Sequence, residues 1–358
     1  MAEDNGGGNS PPVVELGDAP DLTRTIRVQS DAEDTSIPAS YPLKKTVIAS
    51  WSSLEVFAKQ FKGDNGSGWW ARNNVRNRWS KEFNGCDSFD EALDMAVHGW
   101  EEGGVACDKA RGYIQALNPI SPKLVKYGIA GTTPNVPRAI AGNLLNMRQP
   151  KPTASMKKKT ITIIYNMCEN GGTDADMITN KAAVTAALID EIEAKGFAVE
   201  VIASVVTNGY DFHTGSRGTI RAYEFVRVKE SHHPVDINRL AFGLGHAAMF
   251  RGLFFADMQR HHEFKEIGEG LGGAASMCAL KEHNEEQIYT ISSAGQPIKA
   301  SMFKDMDMSA TTGLNAIVRE LRLQGCPAFP KMTDKEREDA LAKPEEDHSS
   351  YYRPHWSY

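Results

Sequence analysis

Three groups of residues carry side chains that could do chemistry. Cys168 follows a β-branched run, Thr160 to Tyr165, in a position where a thiol could act as a nucleophile. His232, His233 and His262 lie close to carboxylates, and imidazole together with carboxylate can hold zinc or iron. No pair of these histidines has the i, i+4 spacing of a helical metal motif. The sequence therefore assigns no catalytic residue, no metal ligand and no cofactor.

The third group is an interleaved run of tryptophan and arginine. It consists of Trp69, Arg72, Arg76, Arg78 and Trp79. Arginine can neutralise phosphates while tryptophan stacks on bases, so the run is a candidate for binding single-stranded nucleic acid. At helical spacing, the same residues equally describe a helix with tryptophans in the core and arginines at its rim. Both interpretations stay open.

The cysteine and the histidines also have two interpretations. In the first, Cys168 is a packed thiol, His246 is a hydrogen-bonded core residue, and the other histidines lie at polar helix ends. In the second, His232, His233 and His262 act together with Cys168 in a metal-dependent hydrolytic or nucleic-acid-associated enzyme. Convergence of these side chains in one cleft would distinguish the second from the first.

The element that must position Cys168 is a βαβ unit. Residues 160–165 are almost all β-branched or aromatic, which is typical of a strand covered on both faces. An alanine-rich segment with apolar residues at helical spacing follows at 175–195, then Gly196 and a second β-branched run at 197–203. Parallel strands joined in this way place the loop after the first strand at the carboxyl edge of the sheet, where open α/β sheets bind ligands.

The whole chain is predicted to be an α/β protein built from five parts. They are a disordered tail at 1–43, a small α-rich module containing the tryptophans at 44–117, a linker rich in Pro, Gly and Lys at 118–158, an α/β domain with a doubly wound, mostly parallel sheet at 159–330, and a disordered charged and aromatic tail at 331–358. Within the α/β domain, 219–229 and 287–292 are predicted as strands, and 237–260 and 310–323 as helices.

Composition narrows the functional classes. The 358 residues carry a net charge of −6, which gives no overall attraction to nucleic acid or anionic membranes. Five scattered cysteines, odd in number and without a Cys-x-x-Cys pair, indicate reduced thiols in a cytoplasm rather than a disulfide framework. We see no signal peptide, and the longest apolar stretch, 240–258, is interrupted by His246, Arg251 and Asp257. A buried helix is therefore expected there instead of a membrane span.

Part of the helical module resembles a known protein family. The pattern runs Trp69, Trp79-Ser80, Phe89-x-Glu91-Ala92-Leu93-x-x-Ala96-x-x-Gly99-Trp100-x-x-Gly103. It resembles an uncharacterised family found largely in bacteriophage genomes. The resemblance implies a viral or prophage origin and supplies no activity.

The order of elements after residue 159 resembles a von Willebrand factor A-type domain. That family holds a metal at the carboxyl edge of its sheet with Asp-x-Ser-x-Ser, a threonine in a later loop, and the aspartate of Thr-Asp-Gly. The corresponding positions here are Asn166, Cys168, Asn170, Ala274, Ser293 and Ala294. Both expected carboxylates are missing, and a hard divalent cation needs them. The resemblance therefore implies the fold and a carboxyl edge without the metal.

From these observations we expect a non-catalytic binding or adaptor protein. Its ligand-binding residues would be Asn166, Cys168, Asn170, Ala274 and Ser293, which are the remains of the metal-site loops. The expected partner is a protein, with nucleic acid as the alternative and no membrane. The expected location is the host-cell cytoplasm, or a virion if a phage encodes the protein.

Overall fold

The computed structural model of the protein describes residues 13–16, 43–62, 79–117, 127–128, 133–134, 136–140, 142, 144, 146–148, 159–169, 173–211, 218–260, 273–274, 288–291 and 298–341. Much of the predicted linker at 118–158 lies outside these ranges. Four residues of the tryptophan–arginine run also lie outside them, and only Trp79 is described.

A seven-stranded sheet forms the centre of the fold. The strands of the chain are β1 (Val13–Leu16), β2 (Leu43–Trp51), β3 (Tyr127–Gly128), β4 (Thr133–Pro134), β5 (Met147–Arg148), β6 (Thr160–Asn166), β7 (Ala198–Asp211), β8 (Gly218–Lys229), β9 (Gly273–Ala274) and β10 (Ile288–Ile291). The order across the large sheet is β1-β2-β8-β7-β6-β10, and β9 pairs with β7. The three short strands β3, β5 and β4 form a separate sheet.

Helices occupy most of the remaining described chain. The α-helices are α1 (Leu54–Lys59), α2 (Lys81–Asn84), α3 (Phe89–His98), α4 (Glu101–Leu117), α5 (Val136–Ile140), α6 (Ala175–Ala194), α7 (Ile237–Gly245), α8 (Phe255–Arg260), α9 (Met306–Met308), α10 (Leu314–Leu323) and α11 (Asp334–Leu341). Two π-helical segments, Ala248–Phe254 and Ser309–Gly313, precede α8 and α10, and a 3-10 helix covers Ala300–Phe303.

The strands of the large sheet run in two opposite sets. β7, β6 and β10 are mutually parallel, and so are β1, β2 and β8. The sets meet where β7 and β8 pair antiparallel. β6 and β7 are parallel because α6 carries the chain back across the sheet, as the predicted βαβ unit requires. Only six residues, 212–217, separate β7 from the antiparallel β8, which is too few for a crossover helix. The sheet is therefore mixed.

The helical segment at the start of the chain shares this sheet. β2 pairs in parallel with β8 over most of its length, with Val47 opposite Ala222. Buried side chains of α1, α3 and α4 belong to the same hydrophobic cluster as those of β6, α6 and α7. The predicted division into a module at 44–117 and a domain at 159–330 therefore cuts across one sheet and one core.

The two faces of the sheet differ in what packs on them. Along β6 the side chains alternate, so that Ile161 and Ile163 join the large cluster with the helices while Ile164 points to the other face. The other face has a smaller buried cluster, which consists of Ile48, Ile164, Ile202, Val206, Tyr223, Phe225 and Ile288. Within the described ranges, no helix contributes a side chain to this strand-only cluster.

Close approach of α7 to its neighbours depends on two glycines. A Cβ atom at Gly245 would lie 2.6 Å from the Ala182 methyl on α6, and one at Gly243 would lie 2.7 Å from Val228 on β8. Both distances are too short for carbon atoms in contact. The missing side chains let this short helix lie directly against α6 and the sheet.

Two segments predicted to be disordered contain regular structure. Val13–Leu16 forms β1 at the edge of the sheet, where it pairs with β2. Asp334–Leu341 forms α11, whose start is a capping box: Thr333 Oγ1 accepts from the Glu336 amide at 3.2 Å, and Glu336 accepts from the Thr333 amide at 2.8 Å. The Thr-x-x-Glu spacing at 333–336 is typical of such a helix start, so the expected disorder of 331–358 is wrong for residues 334–341.

The long helix predicted at 237–260 is present in three pieces. α7 ends at Gly245, His246 adopts an extended backbone, and a π-helical segment then leads into α8. His246 is buried, its Nδ1 accepts from the Ala248 amide at 3.1 Å, and its ring meets Trp100 edge-on. Burial lowers the pKa of His246 to about 4, so it is a neutral core histidine.

Among the described residues, no helix combines the length and apolar character that crossing a membrane requires.

Candidate functional site

Backbone and side-chain hydrogen bonds hold the loop after β6 against β7. Asn166, the last residue of β6, is fully buried, and its Oδ1 accepts a hydrogen bond from the Cys168 amide at 3.0 Å. The Met167 amide donates to the Ser204 carbonyl at 2.8 Å, which continues the pairing of β6 with β7 beyond the strand. These bonds fix the loop at the carboxyl edge of the sheet.

The Cys168 side chain points to β7 instead of to solvent and also holds the loop in place. Its thiol donates to the Val206 carbonyl at 3.0 Å, and its Sγ accepts from the Val206 amide at 3.1 Å. The residue has no exposed surface. A nucleophile must reach its substrate, so the geometry favours the packed thiol of the first interpretation.

The other described cysteines are buried thiols as well. Burial raises the pKa of Cys86 and of Cys107 to about 12, and that of Cys326 to about 11. Such thiols are almost entirely protonated at neutral pH, and the thiolate is the reactive form. They are core residues without nucleophilic character.

A buried ion pair lies directly behind the loop. The Lys181 ammonium on α6 contacts the Glu169 carboxylate at 2.9 Å, with side-chain exposures of 2% and 7%. It also donates to the Asn166 carbonyl at 3.4 Å and lies 4.8 Å from the centre of the Tyr165 ring. Burial lowers the pKa of Lys181, and the Glu169 charge opposes this shift. The pair ties the loop to the middle of α6.

Arg251 reaches the same edge from the first π-helical segment. Its guanidinium donates to the Thr173 carbonyl at 2.7 Å and to the Phe83 carbonyl at 3.2 Å. It also lies 4.8 Å from the centre of the Phe83 ring, a cation–π contact. Burial lowers the pKa of Arg251, while the charges of Asp174 and Glu169 raise it. One buried cation therefore holds the start of α6 and the exposed ring of Phe83 together.

Three of the five predicted ligand-binding residues come together at this edge. Asn166 and Cys168 meet as described, and the backbone of Ala274 in β9 pairs with Thr207, the residue after the Val206 that Cys168 contacts. Asn170 and Ser293 lie outside the described residues. The three described positions lie at one edge of the sheet, and their role in binding a partner stays a prediction.

His232 and His233 lie at the opposite edge of the sheet. Because β8 is antiparallel to β7, His232 and His233 follow its end near Val199, whose carbonyl accepts from Lys229 at 2.8 Å. Cys168 contacts Val206 on the same strand, roughly 20 Å away at the usual rise of a strand. Cys168 therefore does not share a cleft with these two histidines. His262 lies outside the described residues.

Trp79 is the part of the tryptophan–arginine run that can be placed. Its ring packs edge-on against Phe89, with centroids 5.5 Å apart, and its Nε1 donates to the Cys86 carbonyl at 2.9 Å. For this residue the structure supports core packing over base stacking. Trp69, Arg72, Arg76 and Arg78 lie outside the described residues, so their nucleic-acid interpretation stays a prediction.

A second polar group, missed in the sequence, lies inside the main core. Glu224 of β8 is fully buried and faces Asp257 of α8, whose carboxylate accepts from Trp51 Nε1 at 3.2 Å. Among the described residues, neither oxygen of Glu224 has a hydrogen-bond partner. Burial, followed by the Asp257 charge, raises the pKa of Glu224 well above its ordinary value of 4.5. The pair is inaccessible to a substrate, so its effect is on stability.

We expect Glu224→Gln to remove a pH dependence of stability. The folded protein keeps a proton on Glu224 at pH values where the unfolded chain has lost it. Its contribution to stability is therefore present below pH 4.5 and declines as pH rises, by about 1.4 kcal/mol per unit, until the raised folded pKa is passed. Urea unfolding from about pH 5 to about pH 8 measures this slope.

Glu82 is exposed, so Glu82→Gln removes a carboxylate from the surface and serves as the control for Glu224→Gln. The wild type and Glu82→Gln should lose stability in parallel as pH rises. Glu224→Gln should lose less and be the most stable of the three at neutral pH. Identical slopes in all three proteins would contradict a protonated Glu224.

Both buried polar groups leave a signal in the sequence. Lys181 falls on the apolar stripe of α6, between Ile178 and Thr185, and Glu224 alternates with Ala222 and Val226 as an inward position of β8. Charged residues at core positions are rare unless they are paired or protonated. The inward position of each charged residue in its own helix or strand therefore predicts both buried polar groups, although not their partners.

Comparison with known proteins gives one match. Neither the curated proteins nor the solved structures contain a match to this chain. A family model described as "Domain of unknown function (DUF7192)" matches residues 29–325, a range that includes β2, the helices that follow it, and the whole carboxyl edge. The chain therefore belongs to the DUF7192 family.

Proposed function

We propose that the protein is a non-catalytic binding or adaptor protein whose carboxyl-edge loops contact a protein partner. The observation that carries the proposal is Phe83, an exposed aromatic ring held from behind by buried Arg251. Aromatic residues fixed in advance are typical anchors of protein interfaces, because little entropy is lost when they are covered.

The chemistry of the edge supports binding over catalysis. The side chains at this edge that could react are buried, and they hold the loop in place. Cys168 bonds Val206 of β7, and Lys181 of α6 pairs with Glu169 of the loop. Exposed Asp174 and Asp176 lie at the start of α6, next to the Thr173 carbonyl that Arg251 binds. The rim is therefore acidic around an apolar ring, which fits a partner surface with basic residues.

Three finer expectations belong to the same proposal. We infer a degenerate von Willebrand factor A-type domain from the meeting of Asn166, Cys168 and the Ala274 backbone at one edge. A doubly wound arrangement further requires helices over the strand-only cluster. The resemblance of residues 69–103 to an uncharacterised family found largely in bacteriophage genomes suggests a phage origin and a place in the host cytoplasm or the virion, in keeping with buried thiols.

Co-purification of Phe83→Ala with cellular proteins tests the proposal. A protein recovered with the wild type should be recovered at least about tenfold less well with Phe83→Ala, since hot-spot anchors contribute 2 kcal/mol or more. The purified partner should then show the same loss in a direct binding titration.

Val105→Ala is the matched control, because it shortens another exposed apolar side chain, on α4. It should bind like the wild type. Equal recovery with Phe83→Ala would overturn the proposed edge. Recovery that disappears after nuclease treatment would replace the protein partner with nucleic acid.

A further inference from the structure

The turn after β8 gathers three side chains that could ligate a metal. His232 Nε2 lies 2.9 Å from Glu230 Oε2, and His233 Nδ1 lies 3.7 Å from the same oxygen. The three candidate ligand atoms all lie within 4.8 Å of one another. The two imidazole rings are adjacent, with centroids 4.2 Å apart.

These separations are close to those of a tetrahedral site. Ligand atoms bound at about 2.0 Å from one zinc ion in tetrahedral geometry are about 3.3 Å apart. The two measured separations, 2.9 Å and 3.7 Å, lie on either side of that value. Small side-chain rotations would therefore complete the site. These positions do not have the i, i+4 spacing of a helical metal motif, because here a turn brings positions i, i+2 and i+3 together.

The backbone of the turn is held in place before any ion arrives. Lys229 is buried, and its ammonium contacts Glu193 at 2.6 Å, the Val199 carbonyl at 2.8 Å and the Glu230 carbonyl at 3.1 Å. The His233 amide donates to the same Glu230 carbonyl at 3.3 Å. Because Glu193 neutralises the Lys229 charge, the nearby ammonium does not repel a cation from the turn.

We propose that Glu230, His232 and His233 form a binding site for a divalent transition-metal ion, with zinc as the best fit. Two neutral imidazoles and one carboxylate suit zinc, cobalt, nickel or copper, whereas magnesium and calcium prefer oxygen ligands alone. The histidine side chains are 70% and 62% exposed, so the ion enters from solvent and keeps an open position. The site lies at the opposite edge of the sheet from Phe83 and is independent of the proposed protein interface.

Calorimetric titration of zinc into the metal-free, untagged full-length protein tests the site. The wild type should bind one more zinc ion per chain than the His232→Ala/His233→Ala double variant does. The single variants His232→Ala, His233→Ala and Glu230→Gln should each weaken zinc binding at least about tenfold. Loss of a residue that only hydrogen-bonds a metal ligand can already weaken binding by that factor. Excess magnesium should leave the zinc affinity unchanged.

His98→Ala is the matched control, since His98 is equally exposed and lies beside Asp94 at 3.6 Å, with no third candidate ligand among the described residues. It should bind zinc like the wild type. All the substituted side chains lie at the surface, so the metal-free variants should melt at the temperature of the wild type. Equal zinc stoichiometry and affinity in the wild type and the double variant would overturn the site. So would wild-type binding that magnesium displaces.

Discussion

Replacing Ile163 with aspartate is expected to unfold the protein. Ile163 has no exposed surface and lies in β6 between Val201 of β7 and Tyr289 of β10. The substitution removes a buried aliphatic side chain and places a carboxyl among apolar neighbours, which together cost about 5 kcal/mol or more. That is comparable with the whole free energy of unfolding of a typical domain. Circular dichroism during heating should show no cooperative transition.

Two control substitutions in β6 show whether the loss of stability comes from burying a charge or from changing the strand. Thr160→Asp places the same carboxylate at the exposed start of β6 and should melt within a few degrees of the wild type. Ile163→Val keeps the position apolar and should cost only about 0.5–1.5 kcal/mol. A cooperative melt of Ile163→Asp near the wild-type temperature would show that this strand is not central.

Replacing Lys181 with methionine is the second large effect, with an expected loss of about 3–5 kcal/mol in the free energy of unfolding. Methionine fills much of the same volume but removes the ammonium from the Glu169 carboxylate, which is only 7% exposed. The destabilisation comes mainly from the desolvation cost of the Glu169 carboxylate, which the Lys181 ammonium no longer offsets. Urea unfolding at neutral pH measures it.

A double variant tests that explanation. Lys181→Met/Glu169→Gln also removes the carboxylate charge, so it should regain much of the stability that Lys181→Met loses. Lys59→Met is the surface control, because Lys59 contacts Glu55 at 2.7 Å with both side chains well exposed and should change stability by less than about 1 kcal/mol. If Lys181→Met is as mild as Lys59→Met, the buried pair does not hold the loop.

Local patterns were sufficient to predict the βαβ unit and its carboxyl-edge loop. Residues 161–166 are buried on both faces of the sheet, and the apolar stripe of α6 has the period of a helix, so each signal lies within one short segment. The position of Asn166 and Cys168 at the carboxyl edge follows from this topology alone. The local pattern does not predict the hydrogen bond between Cys168 and Val206, because these residues are 38 positions apart in the chain.

The membership of β2 in the sheet could not be predicted from local patterns. The run around Val47 reads as a strand, but nothing near it indicates that its partner is the run around Ala222. Pairing over such a separation depends on the register of the complete fold. In the same way, Glu224 alternates correctly as an inward residue, yet only the structure brings it to Asp257. Sequence patterns identify elements, while distant pairs decide which elements share a core.

The pairing of β2 with β8 also sets the order in which the chain can fold during synthesis. Trp51 of β2 bonds Asp257, a residue 206 positions later in the chain. At the usual rate of translation, β2 leaves the ribosome roughly ten to forty seconds before β8 exists. Throughout that interval its apolar residues and open strand edge lack their partners, which is the condition in which nascent chains aggregate or recruit chaperones. β2 therefore gains its native partners only after residues 218–257 have been made.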